Sequence, residues 1–168
     1  MILQCFHQSD FARDWSNYAS RGPIDRAEFS AANQFILGHF STSTFLSSIM
    51  KHGLTPDAHE DRTVDDDVPS DSMSVYLLTT YDRFYMERAT KYHGGEAISI
   101  EIRVNKYALS ADEAQLHHYD LTTLDDEEAL YVSMCGGACK HNGAIPLASI
   151  LSIYDANGTI LYLIDNRC

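Results

Sequence analysis

The spacing of apolar positions along the chain predicts more strands than helices. Residues 97–104 carry Ile or Val at every second position from Ile98 to Val104, with polar residues between them. This alternation is typical of a strand with one buried and one polar face. Shorter apolar runs predict further strands at 1–6, 35–37, 73–81, 128–134, 148–154 and 159–164. The DANG tetrapeptide at 155–158 predicts a hairpin between the last two.

Residues 35–56 predict a strand, a polar turn and a helix in direct succession. The apolar run ends just before His39 and Ser41, which we expect where the chain leaves the sheet. Ser43 or Thr44 can cap a helix that ends at Gly53. Helical spacing predicts further helices at 9–19, 24–33 and 82–93, whereas 105–127 is predicted to be mostly irregular. Strands and helices in this order indicate an α+β fold.

Length and charge restrict the class of protein. A chain of 168 residues predicts one domain, residues 1–168, with a core of its own. The formal net charge of −12 disfavours non-specific binding to nucleic acid. Part of that charge lies in an acidic segment at 57–72, predicted to be a solvated loop, with a lid or a docking loop as the alternative.

No apolar run approaches the ~18 residues that a membrane span needs, so no membrane association is predicted. The first residues lack the basic and apolar regions of a secretory signal. We therefore expect a cytoplasmic protein, or one delivered into a host cell by a route without a classical signal peptide.

The four cysteines predict neither disulfides nor a metal centre. Without a signal peptide, a reducing compartment and free thiols are expected. Cys135, Cys139 and His141 have some resemblance to a zinc ligand set, but the fourth ligand is undefined, with His117 or His118 as the available residues. No metal cofactor is expected.

Three segments of the chain carry chemically distinctive residues in a fixed order. The first is His39-Phe40-Ser41 with the following segment FLSSIMKHGLTP. The second is the run VYLLTT at 75–80, a helix ending in ATKY at 89–92, and the strand AISIEIRV. The third is EALYV at 128–132, read as a glutamate that opens a strand. In this order the three segments resemble the ADP-ribosyltransferase superfamily, on its His-Tyr-Glu branch of diphtheria-toxin-like toxins, poly(ADP-ribose) polymerases, DarT-like enzymes and tRNA 2′-phosphotransferases. The resemblance covers roughly residues 35–155.

The resemblance implies a split antiparallel sheet flanked by short helices, with a cleft that binds NAD as a substrate. His39 is then expected to bond the adenosine-side ribose, and Ser41 the nicotinamide ribose or its amide. Tyr76 and Tyr92 are expected to stack about the nicotinamide ring. Glu128 is expected to bond the 2′-hydroxyl of the nicotinamide ribose as the catalytic carboxylate.

These residue types suit the reaction that the family performs. Cleavage of the nicotinamide–ribose bond builds positive charge on the sugar, which a preorganised carboxylate stabilises. Aromatic faces hold a flat cationic ring, and a neutral imidazole offers one donor and one acceptor to a sugar diol. Thr79, at the end of the tyrosine strand, completes the expected NAD-contacting set.

The resemblance implies a mono-ADP-ribosyltransferase-like protein with a protein or small-molecule acceptor, in the manner of a toxin, an effector or a phage-encoded modifier. An NAD glycohydrolase and a degenerate nucleotide- or partner-binding module are the alternatives. A second alignment places the last strand at Gly143–Pro146 and leaves the glutamate position, near Lys140–Asn142, without a carboxylate. His39, Tyr76 and Tyr92 also fit ordinary packed positions, and Glu128 fits a solvated charge in the DDEE run.

Overall fold

A computed structural model describes residues 1–6, 24–56, 63–65, 68–69, 71–80 and 83–164. Its strands are β1 (Ile2–Gln4), β2 (Gln34–Thr42), β3 (Thr63–Asp65), β4 (Val68–Pro69), β5 (Ser74–Leu78), β6 (Ala97–Asn105), β7 (Leu109–Ala111), β8 (Ala138–Asn142), β9 (Ile150–Asp155) and β10 (Ile160–Leu163). Its helices are α1 (Arg26–Ala31), α2 (Leu46–His52), α3 (Arg83–His93) and α4 (Asp126–Gly136). The predicted helix at 9–19 and most of the acidic segment lie outside the described residues.

Eight strands form one open sheet in the order β10-β9-β6-β2-β5-β8-β7, and β1 pairs with β2 alongside β5. Every pairing is antiparallel except that of β1 with β2, which is parallel. Strands β3 and β4 form a separate two-stranded sheet. The described residues thus confirm an α+β architecture built on an antiparallel sheet that does not close into a barrel.

Successive side chains of each strand point to opposite faces of the sheet, and each face carries its own hydrophobic cluster. One face carries the larger core, to which Leu37, Leu77 and Ile100 contribute from three neighbouring strands. The other carries a smaller cluster of Phe6, Phe40, Leu78 and Ala138, on which α3 packs. Helices α1, α2 and α4 contribute Phe29, Ile49, Leu130 and Met134 to the larger core.

The centre of the sheet contains a seam between β2 and β5. Strand β2 pairs with β6 through nine residue pairs, from Gln34↔Asn105 to Thr42↔Ala97. On its other side, β2 pairs with β5 through Gly38↔Leu78. Strand β5 in turn pairs with β8 through five residue pairs. The sheet therefore has two well-paired parts that meet along a short contact, which we call the β2–β5 seam.

The structure corrects several sequence-based expectations. The segment predicted as a strand at 128–134 is part of helix α4, whose first turn is capped by the Asp125 carboxylate. Strand β8, which was not predicted, follows that helix directly. The strand predicted at 35–37 extends through Thr42, so His39 and Ser41 lie within β2 and not beyond its end.

Candidate functional site

His39 and Ser41 lie on β2 and leave the sheet on the side of the larger core. His39 is in register with Ile100 and Ser41 with Ile98, and registered residues of antiparallel strands share a face. Both Ile side chains are fully buried, whereas His39 and Ser41 are half-buried. A polar pair thus extends from the core towards solvent at the end of β2.

His39 bridges the β2–β5 seam. Its Nδ1 lies 2.9 Å from the Tyr76 carbonyl oxygen. Because a carbonyl can only accept, Nδ1 carries a proton, and in the neutral form of the ring Nε2 is the acceptor nitrogen. The imidazole therefore occupies the position at which the two central strands separate.

The Tyr76 phenol leaves the sheet on the face opposite His39. Tyr76 is registered with Lys140 and shares its face with Leu78, which belongs to the smaller cluster. The Asp71 backbone N–H donates to the Tyr76 hydroxyl over 2.8 Å. Desolvation by burial is the main cause of a raised pKa for this phenol, so it stays protonated. The seam thus joins the imidazole to the main chain of Tyr76, while the two side chains diverge.

Thr79 is a buried residue whose polar groups are already bonded. Its hydroxyl donates to the Met134 carbonyl over 2.8 Å, and its backbone N–H donates to Gly137. Thr79 also lines a cavity of about 190 Å³ together with Glu28 and Cys135. Thr79 is therefore bonded to helix α4 and also lines a cavity.

Tyr92 lies near the end of α3, the helix that packs on the smaller cluster. Its ring is 64% exposed. The Arg88 guanidinium carbon lies 5.4 Å from the centre of the ring, and the Lys91 ammonium lies 6.0 Å from it. An exposed ring flanked by two cations is available for stacking against a ligand.

Glu128 lies in the first turn of α4 and forms an ion pair with Arg26 of α1 over 2.6 Å. Arg26 also stacks over the Tyr131 ring at 4.5 Å, and Tyr131 packs on Phe29. Phe29 in turn packs on Phe35, near the start of β2. The structure thus brings the His39 imidazole to the Tyr76 main chain but not to its phenol, and places Glu128 in a cluster around the opposite end of β2.

Beside Tyr76 the structure reveals a charged cluster that sequence reasoning missed. Lys140 of β8 is bonded to both carboxylate oxygens of Glu113, at 2.7 and 2.8 Å, and lies 3.9 Å from an Asp71 oxygen. The second alignment places the glutamate position of the family near Lys140–Asn142, where the sequence has no carboxylate. Nothing in the sequence spacing indicates that Glu113 reaches it.

Three of the cysteines fall within the described residues, and all three are free thiols. Cys139 is fully buried, and desolvation raises its thiol pKa well above the usual range. In the described part of the chain, no group of three His, Cys, Asp or Glu side chains is placed to hold a metal ion. No described helix is long and apolar enough to cross a membrane.

Comparisons with known proteins leave the family open. No protein-family model and no curated protein matches the chain. Among solved structures, the chain is similar to one named EcPltA, with a TM-score of 0.43 and 12% sequence identity. That match covers 74% of this chain and 80% of the other. A similarity this low carries no argument about function.

Proposed function

We propose that the protein is an NAD-dependent mono-ADP-ribosyltransferase-like enzyme that acts on a protein or small-molecule acceptor. The observation that supports it is the contact of the His39 imidazole with Tyr76 across the β2–β5 seam. A split antiparallel sheet with a cleft that binds NAD is the arrangement that the family resemblance implies. Ser41 and Tyr92 lie on elements next to that seam.

The residues at the seam match the chemistry of the substrate. The His39 Nε2 atom is an acceptor suited to a ribose hydroxyl, and the Ser41 hydroxyl can donate and accept. Exposed aromatic surface on Tyr92 suits stacking against a flat ring such as nicotinamide. We infer that the dinucleotide lies in the gap where β2 and β5 separate, with His39 and Ser41 on one face of the sheet and Tyr92 over the other.

One observation favours a second candidate function. The carboxylate expected to stabilise the charged ribose was assigned to Glu128, and that side chain is paired with Arg26 in the cluster around Phe29. A protein that binds NAD without cleaving it fits this arrangement as well. The two candidates differ in whether nicotinamide is released.

Incubation of the purified protein with NAD carrying a label on its adenylate half, with and without cell lysate, tests the proposal. We expect free nicotinamide to form and label to appear on an acceptor. Free nicotinamide without labelled acceptor indicates a glycohydrolase. A thermal shift with NAD but no nicotinamide indicates the binding module, and neither signal contradicts both candidate functions.

Two histidine variants locate the site. His39→Ala should lower nicotinamide release by roughly 10- to 100-fold, the effect of losing about 1–3 kcal/mol of hydrogen bonding. His52→Ala is the matched control, because His52 is exposed in the last turn of α2. Equal activity of the two variants would remove His39 from the site.

A further inference from the structure

Lys140 is a buried cation. Its side chain is 8% exposed, and Lys is almost never this buried unless it is paired. Burial lowers the Lys140 pKa, but the bonds to Glu113 raise it, and the net shift is upward. Lys140 therefore stays charged within the sheet, and removal of its partner would leave an uncompensated charge.

Glu113 is the carboxylate that this cation holds. Both of its oxygens accept from the Lys140 ammonium, while the side chain is 63% exposed. Glu113 belongs to the short 3-10 turn that follows β7, so its own backbone lies outside the sheet. The ion pair thus fixes an acidic group that faces solvent in one orientation.

The strand register brings this pair to Tyr76. Lys140 is registered with Tyr76 on one side and with Ser110 on the other, so these three side chains share a face of the sheet. The charges of Lys140 and Glu113 both act on the Tyr76 hydroxyl. Glu113 is accordingly a carboxylate fixed on the phenol side of the seam.

Asp71 completes the other side of the cluster. Its backbone N–H donates to the Tyr76 hydroxyl, and its carboxylate accepts from the Ser74 hydroxyl at 2.6 Å and from the Met73 N–H at 2.9 Å. Those bonds, led by that from Ser74, hold the Asp71 pKa below its usual value. The phenol and the Lys140–Glu113 pair are therefore held in one preorganised network.

We propose that Glu113, positioned by Lys140, is the carboxylate that contacts the nicotinamide ribose. This inference rests on the proposed function and changes its catalytic residue from Glu128 to Glu113. On this assignment β8, which pairs with the tyrosine strand β5, carries the Lys140 cation and no carboxylate. Lys140 instead binds the Glu113 carboxylate, which belongs to the turn after β7.

In the reaction, the bond between the ribose C1′ and the nicotinamide nitrogen breaks, and its electron pair leaves with the nicotinamide. The positive charge passes from the ring to the ribose, where the Glu113 carboxylate stabilises it. A nucleophilic atom of the acceptor then bonds to C1′ and loses its proton to solvent. Lys140 stays charged throughout and acts only by holding Glu113.

Three glutamine variants test the assignment by nicotinamide release and by the thermal shift that NAD produces. Glu113→Gln should lower kcat about 100-fold, as loss of a preorganised electrostatic group does, with the NAD thermal shift retained. Glu127→Gln is the matched control with unchanged turnover, since Glu127 is an exposed partner of Lys106 at 2.8 Å. Full activity of Glu113→Gln, with a loss in Glu128→Gln, overturns the inference and leaves the proposed function intact.

Lys140 variants separate positioning from folding. Lys140→Met should lower kcat with little change in KM, and Lys140→Arg should restore most of it, because a guanidinium can also hold a carboxylate. Thermal melting monitors folding, and the Glu113 test does not depend on Lys140→Met being stable. Full turnover by Lys140→Met contradicts the positioning role. No NAD thermal shift and no nicotinamide release by the unmodified protein would instead refute the proposed function itself.

Discussion

Two buried threonines show how much depends on a single hydrogen-bond partner. Thr79 donates its hydroxyl to the Met134 carbonyl, and both groups are buried. Thr42 is fully buried at the end of β2, and its hydroxyl has no partner among the described residues. Thr42 is the last residue of β2 and Thr79 the first residue after β5, and nothing in the sequence indicates which hydroxyl finds a partner. Which hydroxyl is satisfied depends on the packing of α4, a tertiary contact.

Replacement of each threonine by valine should have opposite effects. Thr42→Val exchanges an unsatisfied hydroxyl for a methyl group of similar shape and should raise the free energy of unfolding by about 1 kcal/mol. Thr79→Val removes one of the hydrogen bonds that the Met134 carbonyl accepts, leaving the bond from the Gly137 N–H, and should lower the free energy of unfolding by about 1 kcal/mol. Urea denaturation at constant m-value measures both, and a loss of stability in Thr42→Val would contradict the prediction.

At the scale of single elements, the fold was predicted best where the apolar pattern is periodic. Strand β6 was predicted from alternation alone, and β9 with β10 from the turn between them. Helix α4 was predicted as a strand because EALYVSM is a short apolar run with a β-branched residue, and periodicity cannot separate a buried strand from a buried helix of that length. The helix signal lay just before it, in Asp125 and the acidic first turn.

The N-cap of α4 provides a test of that correction. The Asp125 carboxylate accepts from the Glu128 backbone N–H over 2.8 Å. Asp125→Ala should therefore lower the free energy of unfolding by about 1 kcal/mol. Asp126→Ala, one residue into the helix, removes the same charge without removing a cap and should cost only a few tenths of a kcal/mol. Equal losses in the two variants would argue against the cap.

For the whole molecule, the α+β class and the presence of an antiparallel sheet followed from sequence, but the site followed only in part. The family resemblance placed His39 and Tyr76 at one NAD-binding cleft; in the structure the imidazole contacts the Tyr76 carbonyl across the β2–β5 seam, while the two side chains leave opposite faces of the sheet. The Lys140–Glu113 pair depends on the register between β7, β8 and a turn, which local patterns do not encode. Sequence thus indicated the strands that carry His39 and Tyr76, but neither β8 nor the charges of the candidate site.

The strands on the two sides of the β2–β5 seam should also differ in the free energy of local unfolding. Nine residue pairs hold β2 to β6, whereas the part containing β5, β7 and β8 is joined to β2 through one. Amides of β2 and β6 should exchange with solvent only through global unfolding, and those of β5 and β8 through a smaller opening of lower free energy. Residue-resolved hydrogen exchange measures this difference, and one common exchange free energy for all four strands would contradict it.

The His39 Nδ1–H donates to a main-chain oxygen, so the bond does not depend on which side chain stands at position 76. Every amino acid offers the same oxygen at position 76, so a change of side chain there leaves the imidazole anchored as before. A substitution at position 76 therefore removes the phenol and its bond from the Asp71 N–H, but keeps the acceptor of the imidazole. Saturation mutagenesis scored by stability should accordingly show loss of the bond across the seam at position 39 only.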